Sequence, residues 1–444
     1  MASTRLTRTP SSTTNQKIWT FSVWLKRSGL TEEVIFNNKN TGGSGEELRL
    51  FFKDDDLKFQ SIAGGYDFQY ITNRKFRDTS GWYHIVCSVD TTQTTPADRI
   101  KIYVNGVQET SFSTATNPSS DVNLWWNTNT EFQIGSNQNP NDWFNGVMSH
   151  INNIDGTAYD ATAFGETDAT TGEWKIKTSP SVTYGTNGFF ILKNGNSVTD
   201  QSGNGNNFTV AGGTLTNTLD CPDNVFATAN PLNNYTGQVF GNGNTTVGTT
   251  SGNTSHKQFV STLGVSSGKY YWELKNIDAT TTDSRVGVSS ENVISNPANL
   301  TGSDGHVGDD AESYGYVASS GNKETNNSQS SYGNPFTSGD ILMIALDMDN
   351  NKLYFGKNGT WQNSGDPTSG ATGTGAAFTV TSNITYFPAV SIYGASEDYS
   401  FNFGNGYFGT SAVTSAGTAG STPGTFEYDV PSGYEPLTTK GLNA

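Results

Sequence analysis

Hydrophobic residues in this chain recur at every second position, in short runs separated by Gly, Asn, Asp, Ser and Thr. Residues 19–25 read WTFSVWL, which places Trp19, Phe21 and Val23 on one face. Residues 83–89 repeat this alternation, which is typical of half-buried β-strands. No window shows the sustained i, i+3, i+4, i+7 recurrence of an amphipathic helix. The pattern therefore predicts an all-β protein with almost no helix.

Turn signals place these strands in antiparallel hairpins and meanders. Residues 100–104 end at Asn105-Gly106, a dipeptide that favours a type I′ hairpin turn. In the second half, residues 270–275 alternate, and residues 341–346 are apolar throughout. Short strands at such intervals are typical of β-sandwiches. We expect two antiparallel β-sandwiches in tandem.

The boundary between the sandwiches is predicted where alternation lapses and Gly, Asn and Thr dominate. This change begins near Asp200. The expected arrangement is a first sandwich at 1–215, an extended connector at 216–238 and a second sandwich at 239–444. Residues 426–437 are apolar enough to pack back onto the second sandwich.

Composition and charge exclude several classes of protein. Aromatic residues make up 12% of the 444 residues and charged residues only 15%, which opposes the composition of disordered chains. The net charge of −16 and the lack of a basic segment exclude nucleic acid as the main partner. No apolar stretch approaches the ~18 residues of a membrane span, and no signal-peptide pattern opens the chain. We expect a protein made in a cytosol and not inserted in a membrane, with Cys87 and Cys221 as buried thiols.

Three motifs in the first half resemble the concanavalin A-like, laminin-G-type lectin/glucanase superfamily. They are WYHIV at 82–86, IYVNG at 102–106 and FNGVM at 144–148. The resemblance covers roughly residues 1–215. It implies a jelly-roll sandwich in which the first motif is a core strand and the second its hairpin partner.

Motifs in the second half resemble the SPRY sandwich. They include GKYYWEL at 268–274, YGY at 314–316, LYFGKNG at 353–359 and YFPAV at 386–390, in family order. The departure from the family pattern is a long polar insertion at 292–312.

The pairing of these two domains resembles a group of proteins from marine bacteriophages. The resemblance implies a virion structural protein, assembled in the bacterial host cytoplasm and exposed on a tail fibre or on the capsid exterior. The leading interpretation is non-enzymatic adhesion to a host-surface glycan or protein by a homo-oligomer, with a trimer as the default. The alternative is a capsid-decoration or head-fibre protein that binds other virion proteins. Glycan hydrolysis is a remote alternative.

The residues needed for catalysis do not occur at suitable spacings. Residues 1–230 contain no Glu-x-Asp-x-x-Glu run that would place two carboxylates beside one glycosidic bond. None of the four histidines lies in an HExxH motif. We therefore predict that the protein is not an enzyme.

Calcium is the one candidate cofactor, because its sites need only oxygen ligands from loops. The alternative for each aspartate is a turn in which the side chain bonds its own backbone. The candidate ligands are Asp54, Asp55, Asp56 and Asp142 in the first domain and Asp309 and Asp310 in the second.

Glycan or partner binding is predicted where aromatic rings occur beside amides and a carboxylate. In the first domain the candidates are Trp125, Trp126, Asn141, Asp142 and Trp143. Three interpretations stay open for them: a glycan site, a protein contact or core packing. In the second domain, the SPRY resemblance implies a partner-binding loop face with Tyr314, Tyr316, Tyr332 and Trp361.

Overall fold

The computed structural model divides the chain into two compact units, residues 1–217 and 218–444. The residues that it describes are 4–39, 45–137, 142–193, 195–233, 237–250, 254–278, 283–296, 301–302, 305–394, 397–415, 417 and 420–443. Asn141, one of the predicted binding residues, lies outside them.

The first unit is built from β-strands with two one-turn 3-10 helices, Pro96–Asp98 and Ala161–Ala163, among its described residues. The strands are β1 (Arg5–Arg8), β2 (Ile18–Arg27), β3 (Glu33–Lys39), β4 (Glu47–Lys53), β5 (Asp56–Ile62), β6 (Tyr66–Lys75), β7 (Tyr83–Asp90), β8 (Ile100–Val104), β9 (Val107–Gln108), β10 (Phe112–Thr116), β11 (Phe132–Ile134), β12 (Gly146–Asp155), β13 (Gly165–Thr167), β14 (Trp174–Ile176), β15 (Phe189–Ile191) and β16 (Thr209–Gly212).

Two antiparallel sheets form the sandwich of the first unit. In the part of the chain that the structure describes, the larger sheet has the order β10-β6-β5-β4-β3-β11-β1-β16 and the smaller has the order β15-β12-β2-β7-β8-β9. Trp19, Phe21 and Val23 point into the core between the sheets, as the alternation predicts. The Asn105-Gly106 turn joins β8 to β9, with both residues at positive φ.

The outer face of the six-stranded sheet is covered by residues 157–184, which we call the lateral segment. Phe164 of this segment packs with Val86 and Ile154 of the sheet. Trp174, on the small β13–β14 sheet, stacks near His84 with ring centroids 5.9 Å apart. Both faces of this sheet are therefore shielded from solvent over much of their area.

The second unit is also β-rich. Its helices within the described ranges are α1 (Glu291–Ile294) and the 3-10 turns Pro231–Asn233, Gln362–Ser364, Pro367–Thr372 and Gly441–Asn443. The strands are β17 (Gln238–Gly241), β18 (Thr246–Thr249), β19 (His256–Val260), β20 (Lys269–Asp278), β21 (Arg285–Ser290), β22 (Thr301–Gly302), β23 (Ser313–Val317), β24 (Asn322–Thr325), β25 (Ser328–Ser331), β26 (Ile341–Asp347), β27 (Lys352–Lys357), β28 (Thr360–Trp361), β29 (Phe378–Thr379), β30 (Tyr386–Tyr393), β31 (Asp398–Asn402), β32 (Tyr407–Phe408), β33 (Ser411–Ala412) and β34 (Glu435–Pro436).

A second sandwich results, and the all-β prediction is confirmed. One sheet has the order β17-β18-β31-β20-β26-β27-β28, with β29 and β34 added at its side, and the other has the order β22-β19-β30-β21-β23-β24-β25. The continuous apolar sequence of strand β26 is explained by the burial of both of its faces. Leu342, Ile344 and Leu346 lie in the central core, whereas Met343 and Ala345 pack outward against the C-terminal segment.

The C-terminal segment, residues 425–437, lies on the outer face of this sheet. Phe426 and Tyr434 pack against Tyr271 and Tyr354, and β34 pairs in parallel with β20. This arrangement buries apolar positions that a two-layer sandwich would leave in water.

Residues of the predicted connector belong largely to the second sandwich rather than to a free linker. Phe226, Ala227 and Ala229 are buried in its core. Phe226 also forms a β-bridge with Thr438 near the C-terminus. The polar composition of 216–238 concealed this packing, because only a few small or aromatic residues in it carry the burial.

The insertion at 292–312 covers the outer face of the seven-stranded sheet, as far as its residues are described. Val307 packs on Val260 and Ala389, and its N–H donates to Ser391 Oγ at 3.1 Å. The ring of His306 lies 4.9 Å from that of His256, between centroids.

Candidate binding site at one end of the first unit

The aromatic residues predicted to form one glycan site lie at opposite ends of strand β2. Trp19, near the start of β2, is opposite Asp155, whereas Arg27, at its end, is opposite Gly146. Asn127, beside Trp125 and Trp126, bonds Asp155 Oδ1 at 3.2 Å. Eight residues of strand separate the two ends, or roughly 26 Å at about 3.3 Å per residue. The structure therefore does not bring Trp125 and Trp126 together with Trp143 in one site.

Trp126, at the Asp155 end, is a core residue. It is 1% exposed, it stacks on Trp19 with centroids 4.5 Å apart, and its indole N–H donates to Asn153 Oδ1 at 3.0 Å. A ring enclosed in this way offers no face to a sugar, so core packing is the interpretation that holds for it. Trp125 is half-buried against the same core.

A small crevice beside Trp126 is closed by buried amides. Asn153 Nδ2 donates to Asn127 Oδ1 at 3.1 Å, and Asn187 Nδ2 donates to Thr14 Oγ1 at 2.8 Å. These amides and the neighbouring Phe rings are at most 5% exposed. The crevice is lined by Arg8, Pro10, Asn38, Trp126, Asn127, Phe132, Asn153, Asn187 and Phe189. Its enclosure suits ordered water better than a sugar ring.

A buried ion pair organises the other end, which we call the Arg27 end. Arg27 Nε lies 2.6 Å from Glu33 Oε2, and both side chains are fully buried. Arg27 Nη1 also donates to the carbonyl of Phe76 at 2.6 Å, and its guanidinium lies over Phe52 at 4.3 Å from the ring centroid. Burial raises the pKa of Glu33 to about 7, although Arg27 opposes the shift. The pair fastens the β2–β3 turn to the segment that leads into β7.

Aromatic and polar groups meet the surface at the Arg27 end. Lys26 Nζ lies 5.6 Å from the ring centroid of Trp82. Trp82 and Trp143 are half-buried, Asp142 Oδ2 accepts from Asn137 Nδ2 at 2.6 Å, and the Asn145 carbonyl accepts from the Ser28 N–H. This end combines indole rings with a carboxylate and amides, which is the composition expected of a sugar site.

Sequence reasoning found Asp142 and Trp143 here but missed Trp82 and Asn145. The alternation of side chains along β7 could have pointed to Trp82. Tyr83 packs on the core, so the preceding residue, Trp82, is expected to face outward. Nothing in the sequence places Asn145 beside the β2–β3 turn, since that contact depends on the pairing of β12 with β2.

Several buried polar atoms around the Arg27 end have no hydrogen-bond partner among the residues that the structure describes. Each of them is a buried polar group left unsatisfied, which costs free energy. These atoms are Trp24 Nε1, Ser28 Oγ, Glu33 Oε1, Trp82 Nε1 and Ser136 Oγ.

The aspartates predicted as calcium ligands in the first unit form a hairpin turn and separate ion pairs. Asp54 and Asp55 have φ of 57° and 65° between β4 and β5. The carboxylates of Asp54, Asp55 and Asp56 pair with Lys58, Arg77 and Lys75 at 3.2, 2.8 and 2.6 Å. The turn interpretation therefore fits better than a shared cation.

The second predicted calcium site also forms a turn. The backbone carbonyl of Asp310 accepts from the N–H groups of Ser313 and Asn326, and burial raises the pKa of its carboxyl. Asp309 precedes it in the same turn. In the described part of the chain, no group of three or more His, Cys, Asp or Glu side chains is arranged to hold a metal ion.

Comparison with known protein families agrees with both sandwiches. Residues 2–157 match the concanavalin A-like lectin/glucanases superfamily, and residues 269–406 match the SPRY domain family. The first sandwich therefore contains a region similar to concanavalin A-like domains, and the second contains a region similar to SPRY domains. Domains of these two kinds are typically binding modules, although the first superfamily also contains glycosidases.

Comparison with solved structures finds partial matches of low TM-score. The SPRY domain of human HERC1 is 24% identical, with 37% of this chain and 91% of that chain covered and a TM-score of 0.29. A human SPRY domain is 17% identical, with 37% and 94% covered and a TM-score of 0.27. No curated protein matches the chain. No helix in the described ranges is long and apolar enough to cross a membrane.

The tyrosines predicted to line a partner-binding face of the SPRY domain are buried instead. Tyr314, Tyr316 and Tyr332 belong to its central core, where Tyr316 stacks on Phe355 with centroids 5.3 Å apart. The structure therefore places these tyrosines in the core and not on a loop face, because Tyr314 and Tyr316 project inward from β23 and Tyr332 packs edge-on against Tyr316 with centroids 5.8 Å apart. Trp361 is half-buried and packs beside the C-terminal segment.

A serine–histidine pair in the concanavalin A-like domain is unsuited to nucleophilic catalysis. Ser22 Oγ lies 2.9 Å from His84 Nε2, but both side chains are 0% exposed. Trp174 Nε1 donates to His84 Nδ1 at 3.0 Å, so Nδ1 is the acceptor and Nε2 carries the proton. Burial also lowers the pKa of His84 to about 3. Such a histidine cannot take the proton of Ser22.

Proposed function

We propose that the protein is a non-enzymatic adhesion protein on the surface of a bacteriophage particle. In this proposal the concanavalin A-like domain binds a host-surface glycan through its Arg27 end. The observation that carries it is the presence at that end of two half-buried indoles: Trp82, next to Lys26, and Trp143, which Asp142 and Asn145 flank in the chain. The two families of binding domain support the same role.

The chemistry of the Arg27 end suits a sugar better than an apolar ligand. Indole rings offer flat faces to the C–H surface of a sugar ring, and the carboxylate and amides can pair with its hydroxyls. One shallow site of this kind binds weakly. Many copies on one particle would make it effective by avidity, and a trimer is the proposed default. Sedimentation that shows only monomer at micromolar concentration would argue against the trimer.

Adsorption of labelled full-length protein to a panel of marine bacteria tests the proposal. We expect saturable binding to some strains that is lost in Trp82→Ala and Trp143→Ala. Trp125→Ala is the matched control, because Trp125 is also half-buried but lies at the opposite end of β2.

Two outcomes would contradict the proposal. Equal loss of binding in all three variants would place the site elsewhere or indicate damage to the fold, which melting temperatures would reveal. Absence of binding to every strain, together with binding to stripped capsids, would instead assign the protein to capsid decoration.

A further inference from the structure

Two histidines meet where the insertion lies on the seven-stranded sheet of the second unit. His306 belongs to residues 305–310, which we call the cover segment, and His256 belongs to β19 of the sheet. Their ring centroids are 4.9 Å apart, and the ring of His256 is also 5.0 Å from that of Tyr393 on β30. His256 and His306 are only 4% and 6% exposed. Both imidazoles are therefore enclosed between the cover segment and the sheet.

The charged groups around the two histidines come from β21, from β24 and from the residues just before β21. Arg285 lies between two carboxylates, with Nη1 2.5 Å from Asp283 Oδ1 and Nε 2.9 Å from Glu324 Oε2. Asp283 Oδ2 is 3.6 Å from His256 Nε2, and Glu324 Oε1 is 3.5 Å from His306 Nε2. Both carboxylates are thus already paired with the guanidinium.

The contact between His256 and Arg285 requires a neutral imidazole. Arg285 Nη1, which can only donate, lies 3.4 Å from His256 Nε2, so Nε2 is the acceptor and Nδ1 carries the proton. A second proton, on Nε2, would set two donors against each other and add a positive charge beside the guanidinium. Nδ1 has no hydrogen-bond partner among the described residues, so the added charge would gain no hydrogen bond on that side.

The cover segment shields apolar side chains of the sheet. Val307 packs on Val260 and Ala389, and all three are at most 1% exposed. The N–H of Val307 donates to Ser391 Oγ at 3.1 Å, and its carbonyl oxygen would lie 2.5 Å from a Cβ at Gly315. The segment therefore lies directly on the sheet, and water reaches the histidine pair only when these contacts open.

We propose that residues 305–310 are an acid-released cover of the seven-stranded sheet. In acid, His256 takes up a proton once the cover segment has opened, because Arg285 and His306 oppose that charge in the closed form. Proton uptake stabilises the open form, in which Val260 and Ala389 are exposed. The device is independent of glycan binding by the first unit.

The surroundings of His256 set the pH range of the release. Burial lowers the pKa of His256 from its ordinary value of 6.5 to about 4, and Arg285 and His306 add to the shift. Because the pKa is lowered in the closed form, that form has its full advantage above about pH 6.5 and loses it as the pH falls toward 4. The equilibrium constant for opening should therefore be about 20-fold greater at pH 5 than at pH 7.

Two neighbouring carboxyl groups do not produce this response. Although burial opposes the shift, hydrogen bonds from His306 and Arg285 lower the pKa of Glu324 to about 2, so Glu324 changes the equilibrium little between pH 7 and pH 5. Burial raises the pKa of Asp310, which His306 opposes, so acid favours the closed form through this group. Greater opening at pH 5 would therefore point to the histidines.

Hydrogen exchange of the full chain at pH 7 and pH 5 tests this inference. The readout is the opening equilibrium of the Val307 and Gly308 amides, which donate to serine hydroxyls, corrected for the intrinsic effect of pH on exchange. We expect a rise of about 20-fold in the wild type. His256→Gln should abolish the rise, because glutamine can still accept from Arg285 and does not titrate. His84→Gln is the matched control and should retain the rise, because His84 is also buried but lies in the first unit.

Three results would overturn the inference. The first is opening of the wild type at pH 5 within about twofold of its value at pH 7. The second is an equal rise for the amides of β26, which would report unfolding of the whole unit and not release of the cover segment. The third is a rise that persists in His256→Gln. The comparison with β26 uses the wild type alone, so the test stands even if His256→Gln does not fold.

Discussion

Replacement of Glu273 should release the C-terminal segment from the SPRY domain. This fully buried carboxylate accepts from Tyr271 Oη at 2.9 Å and from Asn402 Nδ2 at 3.1 Å. It also accepts from the backbone N–H groups of Glu427 at 2.9 Å and Tyr428 at 2.8 Å. The last two donors belong to the C-terminal segment, so Glu273 anchors that segment to β20.

The expected cost of Glu273→Ala follows from the donors left without an acceptor. Asn402 retains the carbonyl of Thr425, which leaves the Tyr271 hydroxyl and two backbone amides. At about 1–2 kcal/mol for each, their loss amounts to about 3–6 kcal/mol. Burial raises the pKa of Glu273 to about 7, so the substitution also relieves part of a desolvation cost. We expect a net loss of about 2–3 kcal/mol in the free energy of unfolding.

Urea unfolding and hydrogen exchange measure the two parts of this prediction. Glu166→Ala is the control, because Glu166 is 64% exposed and only 3.9 Å from its partner Lys177; it should cost less than about 0.5 kcal/mol. In Glu273→Ala, hydrogen exchange of the backbone amides of residues 425–437 should become faster than in the wild type, and this increase should exceed that of the amides of β26.

Either of two results would refute the reasoning. One is a free energy of unfolding for Glu273→Ala within about 0.5 kcal/mol of the wild type. The other is a destabilised variant in which residues 425–437 exchange no faster than before. The second result would show that Glu273 supports the sheet but does not anchor the C-terminal segment.

Three further predictions concern the concanavalin A-like domain. Burial lowers the folded-state pKa of His84 to about 3, so the stability contributed by the neutral imidazole is present above about pH 6.5 and is lost as the pH falls toward 3. Between pH 7 and pH 4.5, the free energy of unfolding measured in urea should therefore fall by about 2–3 kcal/mol less in His84→Gln than in the wild type. Equal decreases in the two proteins would contradict this. Trp126→Ala should cost about 3–5 kcal/mol and Trp143→Ala under about 1 kcal/mol, and similar melting temperatures for the two variants would argue against the assigned burial. A chelator should leave the melting temperature unchanged, because the carboxylates of Asp54 and Asp55 pair with the side chains of Lys58 and Arg77. A clear fall in the melting temperature would instead indicate bound calcium.

The local pattern of the chain was sufficient to predict its strands, its main hairpin and its fold class. Alternation along residues 19–25 separates a core face from an outer face because side chains in a strand project to opposite sides. Asn105-Gly106 forms the predicted turn because both residues tolerate positive φ. These features depend on neighbours in sequence, so they are visible without the tertiary structure.

Only the tertiary structure decided which faces are covered and which loops meet. Tyr314 and Tyr316 share one face of β23, and only the fold shows that this face is turned to the core. Trp126 and Trp143 are close in sequence, yet the register of β12 on β2 separates their surroundings by most of a strand. The same register brings Asn145 to Gly29. Alternation shows that a strand has two faces, but the partner of each face comes from distant parts of the chain, so long-range pairing determines the site.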